Sequence, residues 1–140
     1  MKRKKIKRAL PEEESFSGQI GQAVKDLYYI SETDSEVFPF AGKRAQEVSA
    51  ETILKQIGRN EPVEERSFED FFKRLTEIQE WFGDEETRTA NRFSELKEIL
   101  VKNLREIKVF KVGRIEVDIF IVGLDENSIL KGVWTKAVET

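Results

Sequence analysis

The feature that most constrains the fold is a change of hydrophobic period near Ile107. Upstream the apolar residues recur at helical spacing, whereas from Ile107 they alternate with polar residues in the stretches IKVFKV and RIEVDIFIV, on either side of Gly113. Two alternating stretches around a glycine predict a β-hairpin. On the second strand Phe120 and Val122 lie opposite a face of valine and isoleucine. A sheet that is apolar on both faces predicts helices on both sides.

The chain before Ile107 predicts four helices, because its apolar residues recur every three to four positions. Serine precedes two of them at the position that caps a helix, and glycine follows one at the position that ends it. The predicted helices cover residues 17–31, Ser49 to Gly58, Ser67 through Leu75, and Asp84 or Glu85 to about Leu104.

Two further strands complete the predicted sheet. The apolar run EVFPF contains Pro39, which cannot donate to a ladder and therefore predicts an edge strand. The chain ends in LKGVWTKAVET, which predicts a last strand that continues to the terminus. SETDSE and RNEPVEER are interpreted as a polar turn and a polar loop. The sequence thus predicts an α+β fold, a three-layer α/β/α sandwich around a mostly antiparallel four-stranded sheet.

The residue types that are missing exclude many chemistries. The 140 residues contain no cysteine and no histidine, so disulfides, Ser-His or Cys-His nucleophiles and His-based zinc sites are impossible. Acidic pairs such as Glu116 and Asp118 are expected on solvated faces, and not as the two carboxylates of a catalytic dyad. We therefore expect a protein that is not an enzyme and has no cofactor of its own.

Charge divides the chain into a basic tail and an acidic body. The opening MKRKKIKR holds six of the 24 Lys and Arg residues, which leaves 18 against 27 acidic residues and a net charge of −9 for residues 9–140. Such a run predicts a disordered arm over residues 1–15, before a domain at 16–140, and the alternative is a contact with nucleic acid. No signal peptide or membrane span is predicted, so we expect a cytoplasmic protein.

Two positions leave alternatives open. Trp81 lies in a break between two predicted helices, where it could pack as a core or hinge aromatic or stand exposed as an interface anchor. At the chain end, Glu139, the Thr140 hydroxyl and the α-carboxylate offer hard oxygen atoms of the kind that Mg²⁺ accepts. The pattern allows either a polar strand end in water or a ligand that completes a metal site on another protein.

Four stretches of the chain resemble the nuclease A inhibitor family: LYYISE, FEDFFKRLTEIQEWF, LVKNLREIKVFKVGRIEVDIFIVG and the terminal TKAVET. The resemblance covers residues 16–140 and is densest from Asp84 to the end. Members of that family are small acidic proteins that block a sugar-non-specific, magnesium-dependent endonuclease. The resemblance implies an α/β/α sandwich like that of the plant PR-1 proteins, and a monomer that binds its nuclease 1:1.

The resemblance also implies which residues bind the nuclease. The C-terminal threonine of the family enters the active site and reaches the catalytic Mg²⁺ of the nuclease, and that residue is Thr140 here. The glutamate after the first helix falls on Glu32, which is implied to engage an active-site arginine. The Gln-acid-Trp segment of the family falls on Gln79, Glu80 and Trp81, with Glu in place of Asp before the tryptophan. The only metal implied is the Mg²⁺ of the partner.

Two other functions stay open beside inhibition. A nucleic-acid-binding protein would use the basic tail, and its affinity for DNA would fall steeply with salt. A protein-interaction module could keep the fold without the inhibition.

Overall fold

The computed structural model describes residues 15–139, so most of the predicted tail at residues 1–15, and Thr140, lie outside the described residues. The helices in this range are α1 (Phe16–Val24), α2 (Ala50–Ile57), α3 (Phe68–Thr76) and α4 (Asp84–Asn103). The strands are β1 (Tyr28–Ile30), β2 (Asp34–Glu36), β3 (Phe38–Arg44), β4 (Val63–Arg66), β5 (Arg105–Gly113), β6 (Glu116–Leu124) and β7 (Ile129–Val138). The predicted α+β class is confirmed. None of the helices in residues 15–139 combines the length and the apolar character needed to cross a membrane.

Five strands form one antiparallel sheet in the order β3-β7-β6-β5-β4. Strand β3, which contains Pro39, lies at one edge as predicted. The predicted hairpin joins β5 to β6 at Gly113, where φ is +111°. A Cβ atom there would lie 2.5 Å from the carbonyl oxygen of Glu116, so this turn requires glycine.

The predicted count of four strands is wrong, because a segment interpreted as a polar loop is a strand of the main sheet. In RNEPVEER, β4 pairs with β5 from Val63 opposite Val112 to Arg66 opposite Val109. Of its four residues Val63 is half-buried and the other three are exposed. A short edge strand presents charged side chains to water, so it lacks the hydrophobic alternation that reveals a strand.

The first helix ends at Val24, earlier than predicted, and a two-stranded sheet follows it. Asp26 has a φ of 57°, in the left-handed region, and the helix cannot continue through it. The chain then forms β1, which pairs antiparallel with β2 around a turn at residues 31–33, within the predicted polar turn. Leu27 is buried in the same core as Val24, so helical spacing of apolar residues continues past the end of the helix.

Two hydrophobic cores lie on the two faces of the five-stranded sheet. On one face α1, α3 and α4 supply residues such as Phe72 and Leu96, which cluster with Ile119 of β6. On the other face α2 supplies Ile53, which clusters with Phe120. The prediction of helices on both sides of the sheet is confirmed, whereas the likeness to PR-1 proteins stays a prediction.

The predicted caps of α2 and α3 are present. The Ser49 hydroxyl accepts a hydrogen bond from the Thr52 N–H at 3.1 Å, and the Ser67 hydroxyl accepts one from the Asp70 N–H at 3.2 Å. Gly58 ends α2 with a φ of 70°. Caps of this kind stabilise a helix by about 1 kcal/mol each, which helps the short α2 to form.

Asp125 holds the turn between β6 and β7. Its Oδ1 accepts hydrogen bonds from the N–H groups of Asn127 at 2.8 Å and Ile129 at 3.0 Å, and its Oδ2 lies 3.0 Å from Lys131 Nζ. Burial acts to raise the pKa of this carboxyl. The backbone donors and the Lys131 ammonium outweigh burial, so the pKa lies below its ordinary value of 3.8.

The lowered pKa predicts that Asp125 stabilises the fold above pH 3.8, and that this contribution is lost as the pH falls through the lower folded-state value. Asp125→Asn keeps an acceptor but removes the charge, so it should reduce the free energy of unfolding at pH 7 by about 1 kcal/mol. The difference from the wild type should shrink at pH 3 or below. Urea denaturation at both pH values measures it.

Glu126→Gln is the matched control, because Glu126 is an exposed acid of the same turn. It should leave the free energy of unfolding nearly unchanged at either pH. An equal loss of stability in the two variants, or a loss for Asp125→Asn that stays constant down to pH 2, would contradict the assigned role of Asp125.

Candidate functional site

The β1–β2 hairpin lies against the C-terminal half of β7. The Ser31 hydroxyl accepts a hydrogen bond from the Val138 N–H at 3.1 Å, and the Thr135 hydroxyl donates to the Glu36 carbonyl at 2.7 Å. The turn that carries Glu32 therefore lies beside the end of the last strand. The structure brings an exposed carboxylate from the first third of the chain to the point where the chain approaches its terminus.

The last described residues are fixed to the sheet. Strand β7 ends at Val138, and the N–H of Glu139 donates to the carbonyl of Ile115 at 2.8 Å. The Glu139 carboxylate lies 2.7 Å from Lys111 Nζ, so one of its oxygen atoms is engaged within the protein. The prediction that the chain end offers ligand atoms to a metal stays a prediction, because Thr140 lies outside the described residues.

A groove of about 620 Å³ lies between the hairpin, α3 and strands β4 and β5. Tyr29 forms part of its wall and stacks on Phe71, with 5.8 Å between the ring centroids. Burial raises the pKa of the Tyr29 hydroxyl, the Glu139 carboxylate raises it further, and the Arg74 guanidinium acts in the opposite direction. Arg74 also lines the groove, so a charged side chain lies at the same wall as Tyr29.

Gln79, Glu80 and Trp81 lie in the connection between α3 and α4. The Phe82 N–H donates to the Gln79 carbonyl at 3.1 Å, which closes a tight turn over these residues. The Trp81 side chain is 73% exposed and meets the Phe82 ring edge-on, with 4.7 Å between centroids. The structure therefore excludes a core position for Trp81 and leaves its ring accessible, as an interface anchor would be.

The α3–α4 connection follows a helix that lines the groove. Gln79 bonds locally, since its side-chain amide donates to Glu77 at 3.3 Å. The connection nevertheless starts close to the groove, because Leu75 lines the groove and lies only four residues before Gln79. Four residues span at most about 14 Å. The connection that carries these predicted residues therefore begins near the groove.

The outer face of the β1–β2 hairpin was not predicted from the sequence. Tyr28 lies opposite Glu36 and Ile30 lies opposite Asp34, and all four side chains are exposed, Tyr28 by 41% and Ile30 by 67%. This face is a patch of two apolar and two acidic side chains beside the turn of Glu32. Tyr28 and Ile30 are exposed and Tyr29 between them is half-buried, which is the alternation of a strand. Three residues are too few to distinguish a strand from the end of a helix.

Acidic side chains are numerous over the described part of the chain. Residues 15–139 contain no group of three or more His, Cys, Asp or Glu side chains arranged to hold a metal ion. Asp118, on the sheet, is instead paired with Arg59, which also pairs with Glu61. Both partners raise the pKa of the Arg59 guanidinium, and Arg59 lowers that of Glu61, as expected for charges that stabilise each other.

Comparison with protein families matches residues 14–140 to the family described as NuiA, nuclease A inhibitor-like protein. The match includes the hairpin, the α3–α4 connection, the last strand and Thr140. No curated protein matches the chain.

The two tryptophans offer a test of the exposed position of Trp81. Trp134 packs between Phe38 and Phe120, at centroid distances of 5.0 and 6.0 Å. Trp81→Ala should change the free energy of unfolding by less than about 0.5 kcal/mol, whereas Trp134→Ala should reduce it by about 3 kcal/mol. Urea denaturation followed by circular dichroism measures both. Similar losses in the two variants would show that Trp81 is a packing residue.

Proposed function

Because the chain belongs to the nuclease A inhibitor-like family, we propose that it inhibits a sugar-non-specific endonuclease by occupying the active site of that enzyme. The family match over residues 14–140 is the observation that carries this proposal. The position of Glu32 beside the end of β7 supports it, because one insertion could then deliver both the hairpin turn and the chain end. The protein acts as a monomer, binds one nuclease and has no catalytic activity of its own.

Charge supports the association. The cleft of a nuclease is positive because its substrate is a polyanion, and residues 9–140 of this chain carry a net charge of −9. Opposite charges of this size speed the encounter at low salt. The hairpin adds a local concentration of acid, since Glu32, Asp34 and Glu36 are all exposed.

Thr140 is the residue proposed to reach the reaction centre. In a magnesium-dependent nuclease the metal activates water and stabilises the charge that develops on the phosphate. The α-carboxylate of Thr140 imitates a phosphate oxygen and blocks the approach of substrate to that position. Since Glu139 is already fixed to Ile115 and Lys111, the chain end loses less conformational entropy on binding than a free terminus would.

Glu32 and the α3–α4 connection supply the remaining proposed contacts. A carboxylate and an arginine form two parallel charge-assisted hydrogen bonds, so Glu32 can imitate a second phosphate group of the substrate. The exposed ring of Trp81 offers the large apolar area that central interface residues use. Gln79 and Glu80 flank it and provide polar contacts at its rim.

The first test alters the chain end. Deletion of Thr140, or addition of four residues after it, should weaken inhibition of plasmid degradation at least 100-fold, because the carboxylate is then misplaced or blocked. The same four residues added before Met1 should leave inhibition unchanged. Full inhibition by both altered chain ends would overturn the role of Thr140.

The wild-type protein tests the proposal itself. It should stop plasmid degradation by a magnesium-dependent, sugar-non-specific nuclease at a 1:1 ratio. Failure to inhibit any of a panel of such nucleases would contradict inhibition. Retardation of the plasmid by the protein alone, abolished by removal of residues 1–15, would instead favour the nucleic-acid-binding alternative.

The second test separates a specific contact from general charge. Glu32→Gln should raise the dissociation constant of the nuclease complex about 10-fold or more, mainly through faster dissociation. Glu126→Gln makes the same change in charge at the β6–β7 turn, about 30 Å away along β7, and should have little effect on dissociation. Surface plasmon resonance with immobilised nuclease measures both, and equal effects would refute a specific contact by Glu32.

A further inference from the structure

Lys111 occupies a position on β5 where the pattern calls for an apolar side chain. Ile107 and Val109 precede it at strand spacing and pack in the core beneath α3 and α4, so Lys111 projects from the same face of the sheet. The Lys111 side chain is only 14% exposed. Burial of an ammonium group costs free energy unless an acid pairs with it. The buried Lys111 therefore requires an acidic partner.

That partner is Glu139, whose Oε2 lies 2.7 Å from Lys111 Nζ. The two residues are not on neighbouring strands, because β6 lies between β5 and β7. The ion pair therefore extends across the end of β6 to the residue that follows the last strand. Lys111 lines the groove together with Tyr29, and the Glu139 carboxylate contributes to the raised pKa of the Tyr29 hydroxyl.

The backbone of the same segment is held separately. Val138 donates its N–H to Ser31 at 3.1 Å, and Glu139 donates its own to Ile115 at 2.8 Å. These bonds hold the segment in place, but neither restrains the Glu139 side chain. The Lys111 pair supplies that restraint, and it acts on the last residue before Thr140.

We propose that Lys111 is a positioning residue for the end of the chain, which holds the Glu139 carboxylate, and with it the last described residue, against the sheet. Order at the chain end is a property of the free protein and does not depend on any nuclease. The further consequence, that Lys111 makes Thr140 a better inhibitor without touching the enzyme, rests on the proposed function. The two parts can therefore fail separately.

The order of the chain end is tested by ¹⁵N relaxation on the free, full-length protein. Lys111→Met preserves the length and packing of the side chain but removes the charge, so the heteronuclear NOE of residues 139 and 140 should fall clearly. Glu139→Gln should produce the same fall, and Lys111→Arg should restore a value near that of the wild type. The NOE of Thr135 should not change in any variant. An unchanged NOE at residues 139 and 140 in Lys111→Met would overturn the proposal.

The consequence for inhibition is tested with the same variants. Lys111→Met should weaken inhibition about 10-fold without lowering the melting temperature, and Lys111→Arg should be close to the wild type. In a protein that lacks Thr140, Lys111→Met should cause no further loss, because it acts only through that residue. An independent loss in that background would show that Lys111 acts by another route and would overturn the positioning role.

Lys97→Met is the matched control. Lys97 of α4 pairs with Glu69 of α3 at 2.8 Å, close to the 2.7 Å of the Lys111–Glu139 pair, but no ion pair joins it to Glu139 among the described residues. It should alter neither the NOE of residues 139 and 140 nor the inhibition. If wild-type protein inhibits no nuclease while Lys111→Met still lowers the NOE, the anchoring stands and the proposed function fails.

Discussion

Strand β6 is apolar on both faces, with Ile119 and Ile121 on one side and Phe120 and Val122 on the other. Each of these side chains gains roughly 1.5–3 kcal/mol by leaving water, so neither face can stay uncovered. Helices α1, α3 and α4 cover one face, and α2 covers the other. The remaining strands extend from this centre, and their ends position the β1–β2 hairpin and the last described residues at one end of the sheet.

The sequence was sufficient to predict those elements whose local signal agrees with the tertiary structure. The caps at Ser49 and Ser67, the start of α4 and the β5–β6 hairpin were all predictable, because each depends on neighbours in the chain. Strand β4 could not be predicted, because it has no apolar pattern and its pairing with β5 holds it in the sheet. The end of α1 was missed because Leu27 packs in the core just as a further helical residue would.

The candidate site was less predictable than the fold. The contact between Ser31 and Val138 joins residues 107 positions apart, and no local pattern encodes it. The exposure of Trp81 could not be decided from its position in a break between helices. The buried position of Lys111 can be predicted from the sequence, because it lies two and four residues after Val109 and Ile107 and so shares their face of the strand. Its partner cannot be predicted in this way. The hairpin turn and the end of β7 are thus brought together only in the folded protein.

The ten-residue length of β7 separates the two ends of this sheet by about 30 Å. The turn held by Asp125 lies at one end, and the hairpin and chain end lie at the other. Because the chain has no cysteine, Glu126→Cys would create a unique thiol on the remote turn. A fluorophore or a solid support attached there would leave the opposite end open, which makes the protein suitable for single-site labelling and oriented immobilisation.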